Sequence, residues 1–194
     1  MRKIEFVLII MIIIGLALTL LLIPGGSIIF GLSSGLLAML YYPLGFMVYS
    51  DIPIKGVFKK SSYSHTNTRR IFGSVVVGIV LSIIIIGCLF RINIYPGDQI
   101  MLRMGLSLLT IGLVVTLILY FQRNKDVFYK RILIRILIIG AIGITLVFIP
   151  TDFLIDVRFR DRPEAAKLLK KMKKDPQNKE LKEEWRKLNS KETN

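Results

Sequence analysis

Five ionisable side chains sit at the edges of long apolar runs: Glu5, Arg91, Asp98, Arg103 and Arg135. Ionisable residues within membrane spans are functional candidates by default. Here each is placed within about a turn of an interface, where a long side chain can reach water. Arg91, Asp98 and Arg103 gather around one short connection, so they form either a cluster that pins a hairpin or a site for an anionic group. The centres of the apolar runs hold no carboxylate, histidine or lysine, the groups that proton and ion pathways use. The mid-run polar residues are Ser33, Ser34, Ser82, Ser107, Thr110 and Thr116, and no base accompanies them. Nucleophilic catalysis needs a nucleophile with a base, and a metal needs clustered ligands. The one histidine, His65, stands in the polar stretch 61–68 without a nearby Cys, Asp or Glu, and the one cysteine, Cys88, permits no internal disulfide. No catalytic residue, metal or cofactor is expected, and an enzyme is not expected. A lipid-headgroup enzyme would need Arg91, Asp98 and Arg103 to converge with a further catalytic group in a pocket.

The elements that position these residues follow from hydropathy. The 194 residues are 53% hydrophobic, with a mean hydropathy of +0.61. The apolar residues are concentrated in five blocks, about 4–23, 27–49, 71–94, 100–121 and 132–150. Each approaches the ~20 residues that cross ~30 Å of hydrocarbon as a helix. The expectation is an all-α integral membrane protein, a bundle of about five transmembrane helices over residues 1–150 followed by a basic amphipathic helical tail over 151–194. The first block exceeds a signal-peptide core of ~7–15 residues and ends in Pro24-Gly25-Gly26 rather than a small-x-small cleavage site, so it reads as a retained helix.

The net charge of +14 is distributed in a pattern that argues against nucleic acid. Basic residues flank the blocks: Arg2 and Lys3; Lys55, Lys59, Lys60, Arg69 and Arg70; Arg123, Lys125, Lys130 and Arg131. Cytoplasmic loops carry this excess. The N-terminus and the two basic loops are therefore expected in the cytoplasm of a bacterial inner membrane. Five crossings place the tail on the opposite side, and a re-entrant fifth block would return it. The basic loops are expected to meet anionic lipid headgroups.

The other two connections are tight. Pro24-Gly25-Gly26 joins blocks one and two, and Tyr95-Pro96-Gly97 lies between blocks three and four. Proline presets φ and glycine accepts φ > 0, which suits a reverse turn. Pro24-Gly25-x-x-Ile28 aligns with Pro96-Gly97-x-x-Ile100. That match has two readings: an internal duplication, or the general use of Pro and Gly in membrane hairpins.

Helices in lipid associate by close backbone approach and hydrogen bonding. Gly31-x-x-x-Gly35 with Ala38 in block two, and Ser74-x-x-x-Gly78-x-x-x-Ser82 in block three, supply small-residue faces. These are expected to pack helices two and three in the bundle interior, or to contact a membrane-protein partner or a second copy. Gly105, Gly112, Gly140 and Gly143 do the same for blocks four and five, and the Leu/Ile-rich first helix is expected to face lipid. Pro43 and Gly45 predict a kink.

In the tail, Asp161 is expected to cap a helix containing Pro163 and Glu164, with Ala165, Leu168, Leu169 and Met172 on one face. Asp175-Pro176 restarts the chain, and Leu181, Trp185 and Leu188 form a second stripe. Three readings stand: the two helices pack on each other, lie along headgroups, or dock a partner.

The segment Leu89-Phe90-Arg91-Ile92-Asn93-Ile94-Tyr95-Pro96-Gly97-Asp98, with Met101-Leu102 and Gly105-Leu106, resembles a hairpin recurring in small membrane proteins of Bacteroidota, written LFK-x-x-H-x-PGA. That group includes the GldL family, membrane subunits of the gliding and type IX secretion motor. The tail segments Arg160-Asp161-Arg162-Pro163-Glu164 and Asp175–Leu181 resemble the ends of other multi-pass proteins from those bacteria. The resemblance implies a tight helical hairpin. It does not bring the motor chemistry, because the glutamate shortly after Gly-Leu in that family is matched here by Ser107, Leu108 and Leu109. Asn93 or its neighbour replaces the hairpin histidine. The expected function is a non-enzymatic scaffold or accessory subunit of a bacterial envelope complex, with a small transporter or channel subunit, conducting as an oligomer, as the alternative.

Overall fold

A computed structural model of the chain describes residues 2–50, 68–123 and 126–190, and the described residues form eight α-helices without a strand. They divide into two compact units, Met1–Phe148 and Ile149–Asn194. His65 and the loop lysines Lys55, Lys59, Lys60 and Lys125 lie outside the described residues.

The first unit holds α1 (Arg2–Leu20), α2 (Gly26–Ser50), α3 (Thr68–Ile92), α4 (Asp98–Gln122) and α5 (Val127–Phe148). With no water in hydrocarbon to satisfy the backbone, long apolar segments close their hydrogen bonds internally as helices. Four of the five, α1, α3, α4 and α5, are long and apolar enough to cross a membrane. The corresponding stretch of α2 is Gly26–Tyr42, and the helix continues through Pro43 and Gly45 to Ser50. Helix α3 lies at the centre, packed on α2, α4 and α5, and half of its span is buried. The Leu/Ile-rich α1 is more exposed than α3, as expected, with 22% of its span buried against 50%, and α4's span is buried to 17%.

The α1–α2 and α3–α4 turns share their helix-end bonds at one constant offset, the one that takes Pro24 to Pro96. Leu22 N donates to Thr19 O and Ile23 N to Leu18 O; Ile94 N donates to Arg91 O and Tyr95 N to Phe90 O. This pair of bonds satisfies the last carbonyls of a helix when the residue after its end turns left-handed. Leu22 (φ 59) and Ile94 (φ 60) occupy that position, where glycine is usual. Gly25 (φ 88) and Gly97 (φ 78) then complete each turn. The correspondence extends down the helices. A Cβ on Gly15 would strike the backbone of Phe30, and at the equivalent place a Cβ on Gly87 would stand 3.2 Å from the Leu102 Cα. The shared pattern therefore reaches beyond Pro and Gly to a whole helical hairpin.

The small residues sort by environment. Ser74, Gly78 and Ser82 are buried. The Ser82 hydroxyl donates to Ala38 O of α2 at 2.7 Å and to Gly78 O at 2.9 Å. Gly78 faces Gly45, and a Cβ on Gly78 would collide with the Tyr41 carbonyl. The expectation that Gly31 and Gly35 pack inside the bundle is corrected: nothing approaches within 4 Å of a Cβ at either, nor at Gly112. Helix α2 meets α3 through Ala38, Tyr41 and Gly45, while Gly31 is half-buried and Gly35 exposed. Gly105 abuts Ile84, Gly140 abuts Leu109 and Gly143 abuts Leu106.

The second unit holds α6 (Thr151–Arg158), α7 (Pro163–Lys174) and α8 (Lys179–Ser190). Arg162, not Asp161, occupies the α7 N-cap, with Pro163 at the first helical position. The Asn178 side-chain oxygen caps α8, accepting from Glu180 N at 3.0 Å and Leu181 N at 3.3 Å. Lys170 Nζ lies 2.6 Å from Asp156 Oδ1, tying α7 to α6. Trp185 meets Phe159 edge to face with ring centroids 6.0 Å apart. Helices α7 and α8 pack on each other.

Gly78→Leu is expected to destabilise the bundle by more than 2 kcal/mol through overpacking, whereas Gly31→Leu is expected to be near neutral. Unfolding by denaturing detergent in mixed micelles measures both.

Candidate functional site

Two ion pairs are buried at opposite ends of the first unit. At the end where α1, α3 and α5 begin, Arg135 meets Glu5 in a two-pronged bond: Nε donates to Oε1 at 2.7 Å and Nη2 to Oε2 at 2.6 Å. The Tyr41 hydroxyl also donates to Glu5 Oε1. The remaining guanidinium nitrogen, Nη1, donates to Arg131 O at 3.2 Å, and the group lies 5.5 Å from the Tyr49 ring centroid. Arg131 Nη1 donates to Tyr49 O at 3.2 Å. Planar matching of guanidinium to carboxylate is the strongest form of ion pair. It connects α1 directly to α5 and takes in α2 through Tyr41.

The depth of this pair corrects the expectation of surface anchoring. Helix α5 begins at Val127, earlier than the hydropathy block, so Arg135 lies two turns inside it. Glu5 is in the first turn of α1 but is only 6% exposed. Neither group reaches outward; they satisfy each other.

At the opposite end, Arg91 Nη1 lies 2.7 Å from Asp98 Oδ2, with side chains 1% and 7% exposed. Arg91 Nε donates to Leu146 O in the last turn of α5 at 3.2 Å. Arg91 lies in the last turn of α3, and Asp98 opens α4. The macrodipole favours a cation at a helix C-terminus and an anion at an N-terminus. Arg91 thus joins α3 to α4 and covers an otherwise unpaired α5 carbonyl. Of the expected trio, Arg91 and Asp98 come together, and Arg103 is exposed. Pro96 and Gly97 supply the turn that brings the pair within reach.

A third pair lies near the first. Arg70 bonds Asp126, its guanidinium 5.5 Å from the Phe128 ring centroid and 5.8 Å from that of Tyr129. Asp126 Oδ1 accepts from Phe128 N at 2.9 Å and so caps α5. Beside it a cavity of about 50 Å³ is lined by Arg70, Ser74, Thr116 and Tyr129 among others. That is room for one or two waters.

Sequence reasoning did not join Glu5 to Arg135, or Arg70 to Asp126. The available signal was the charge itself, since an acid and an arginine within apolar helices each require a partner. Among the described residues, no group of three or more His, Cys, Asp or Glu is placed to hold a metal. The buried Thr19 and Tyr49 hydroxyls have no hydrogen-bond partner among the described residues. No known protein family, curated protein or solved structure matches the chain.

Arg135→Ala, leaving Glu5 buried and unpaired, is expected to cost about 3–5 kcal/mol. The Glu5→Ala/Arg135→Ala double variant is expected to cost less than the sum of the single changes, and detergent unfolding of the four proteins measures the coupling. Exchanging the second pair (Arg91→Asp with Asp98→Arg) is expected not to restore stability. Both charges would then oppose their helix dipoles, and the Leu146 carbonyl would lose its donor.

Proposed function

We propose that this membrane protein is a non-enzymatic scaffold or accessory subunit of a bacterial envelope complex. The observation that carries the reading is the closure of the buried charges: Glu5, Arg135, Arg91 and Asp98 are all engaged in bonds between helices. A conduit needs polar groups that exchange partners with a passing ion or solute, whereas these fasten helices together. The bonds between α3 and α2 likewise run from a serine hydroxyl to a backbone carbonyl. The proposed setting is the inner membrane, with α2 as a fifth crossing, the N-terminus and basic loops in the cytoplasm and the tail on the opposite side. The tail unit, with a half-buried Trp185 set against Phe159 and charged residues outside, is the proposed contact for a partner protein.

Two measurements test this. The full chain in proteoliposomes is expected to pass protons, potassium and chloride no faster than protein-free vesicles. A labelling enzyme fused after Asn194 is expected to tag a reproducible set of envelope proteins. Flux above background that Arg135→Ala abolishes would replace the scaffold with the conduit reading.

A further inference from the structure

At the end of the bundle that holds the Glu5–Arg135 pair, the described charges do not balance. The cations there include Lys3, Arg70, Arg123, Lys130, Arg131 and Arg135, and the carboxylates are Glu5 and Asp126. Glu5 is taken by Arg135, and Asp126 by Arg70 and the α5 backbone. Arg123, directly after α4, and Lys130, in the first turn of α5, are both exposed and have no carboxylate partner among the described residues.

Their surroundings are apolar. Lys130 is one turn from Val127 (59% exposed) and one turn from Ile134 (46%), so it lies on an exposed stripe that Leu137 and Ile138 continue. Phe121, 64% exposed, precedes Arg123 by two residues. The half-buried Tyr120 and the exposed Phe121 stand near the end of α4 at this level, as aromatic side chains do where hydrocarbon meets headgroups. A cation on a lipid-facing stripe at that depth has one abundant counter-ion, the lipid phosphate. We infer that Arg123 and Lys130 form a binding site for an anionic phospholipid, their cationic groups holding the headgroup and its acyl chains lying along Phe121, Val127 and Ile134. The site depends on the chain spanning a membrane and is independent of the scaffold role, so flux or labelling results leave it standing.

A native reporter at the wrong place can be exchanged for one at the site, because Trp185 is the single tryptophan. Phe121→Trp in a Trp185→Phe background, with the full chain in bilayers, is titrated with brominated phosphatidylglycerol or brominated phosphatidylcholine. The anionic lipid is expected to quench as though bound about 5-fold more tightly, as one or two cations near a headgroup support. Arg123→Gln with Lys130→Gln should reduce that preference to about 1-fold, while Arg123→Lys with Lys130→Arg keeps it. A reporter at the other end of the bundle, Tyr95→Trp, should show none. Equal quenching by both lipids, a preference that survives the glutamine changes, or an equal preference at position 95 would each overturn the site.

Discussion

A charge in hydrocarbon has no water to answer it, and the arrangement of the first unit follows from how its charges are answered. Glu5 and Arg135 meet within the helix bundle, and each contributes more than one hydrogen bond to the other. Taking both ions out of water is costly, and their attraction offsets that cost only when geometry is good and the remaining donors find acceptors. Here Tyr41 adds a donor to the carboxylate, and the Arg131 carbonyl takes the last guanidinium nitrogen. The consequence is register. Helix α1 packs chiefly on α2, and apolar contacts alone would let it slide, because lipid solvates its leucines and isoleucines as well as protein does.

The Arg91–Asp98 pair plays the same part at the other end with a different logic. Its members are seven residues apart across one turn, so they set the hairpin, and the Leu146 carbonyl brings α5 to it. The equivalent places in the first hairpin hold Thr19 and Gly26. There the α1 backbone at Leu18 and Thr19 comes so close to Gly26 that a Cβ would not fit. One backbone turn is thus closed in two ways, by an ion pair in one copy and by bare backbone contact in the other. The Thr19 hydroxyl, buried without a partner among the described residues, stands where Arg91 stands in the second hairpin.

Much of this was legible in the residues and some was not, for physical reasons. The class of protein, the helix lengths and the two Pro-Gly turns depend on composition over a window, and those properties survive any rotation of a helix about its axis. The small-residue faces do depend on rotation. Gly78 and Ser82 meet α2 at Ala38, Tyr41 and Gly45, while Gly31 and Gly35, with the same spacing, have no neighbour within 4 Å of where a Cβ would stand. Leu22 and Ile94 in left-handed conformation were invisible for another reason: such a position normally announces itself by glycine, and here the paired helix-end bonds hold bulky residues in it.

What the amino-acid order determined by itself is the solvent: long uncharged runs bounded by basic residues commit the chain to helices in a bilayer. Which charges meet was decided only by the fold. Arg91 and Asp98 are near neighbours in sequence, and a turn suffices to join them. Glu5 and Arg135 lie at opposite ends of the first unit's chain. Their contact requires α1, α2 and α5 to stand at particular heights and rotations, and that is a property of the packed bundle rather than of any segment within it.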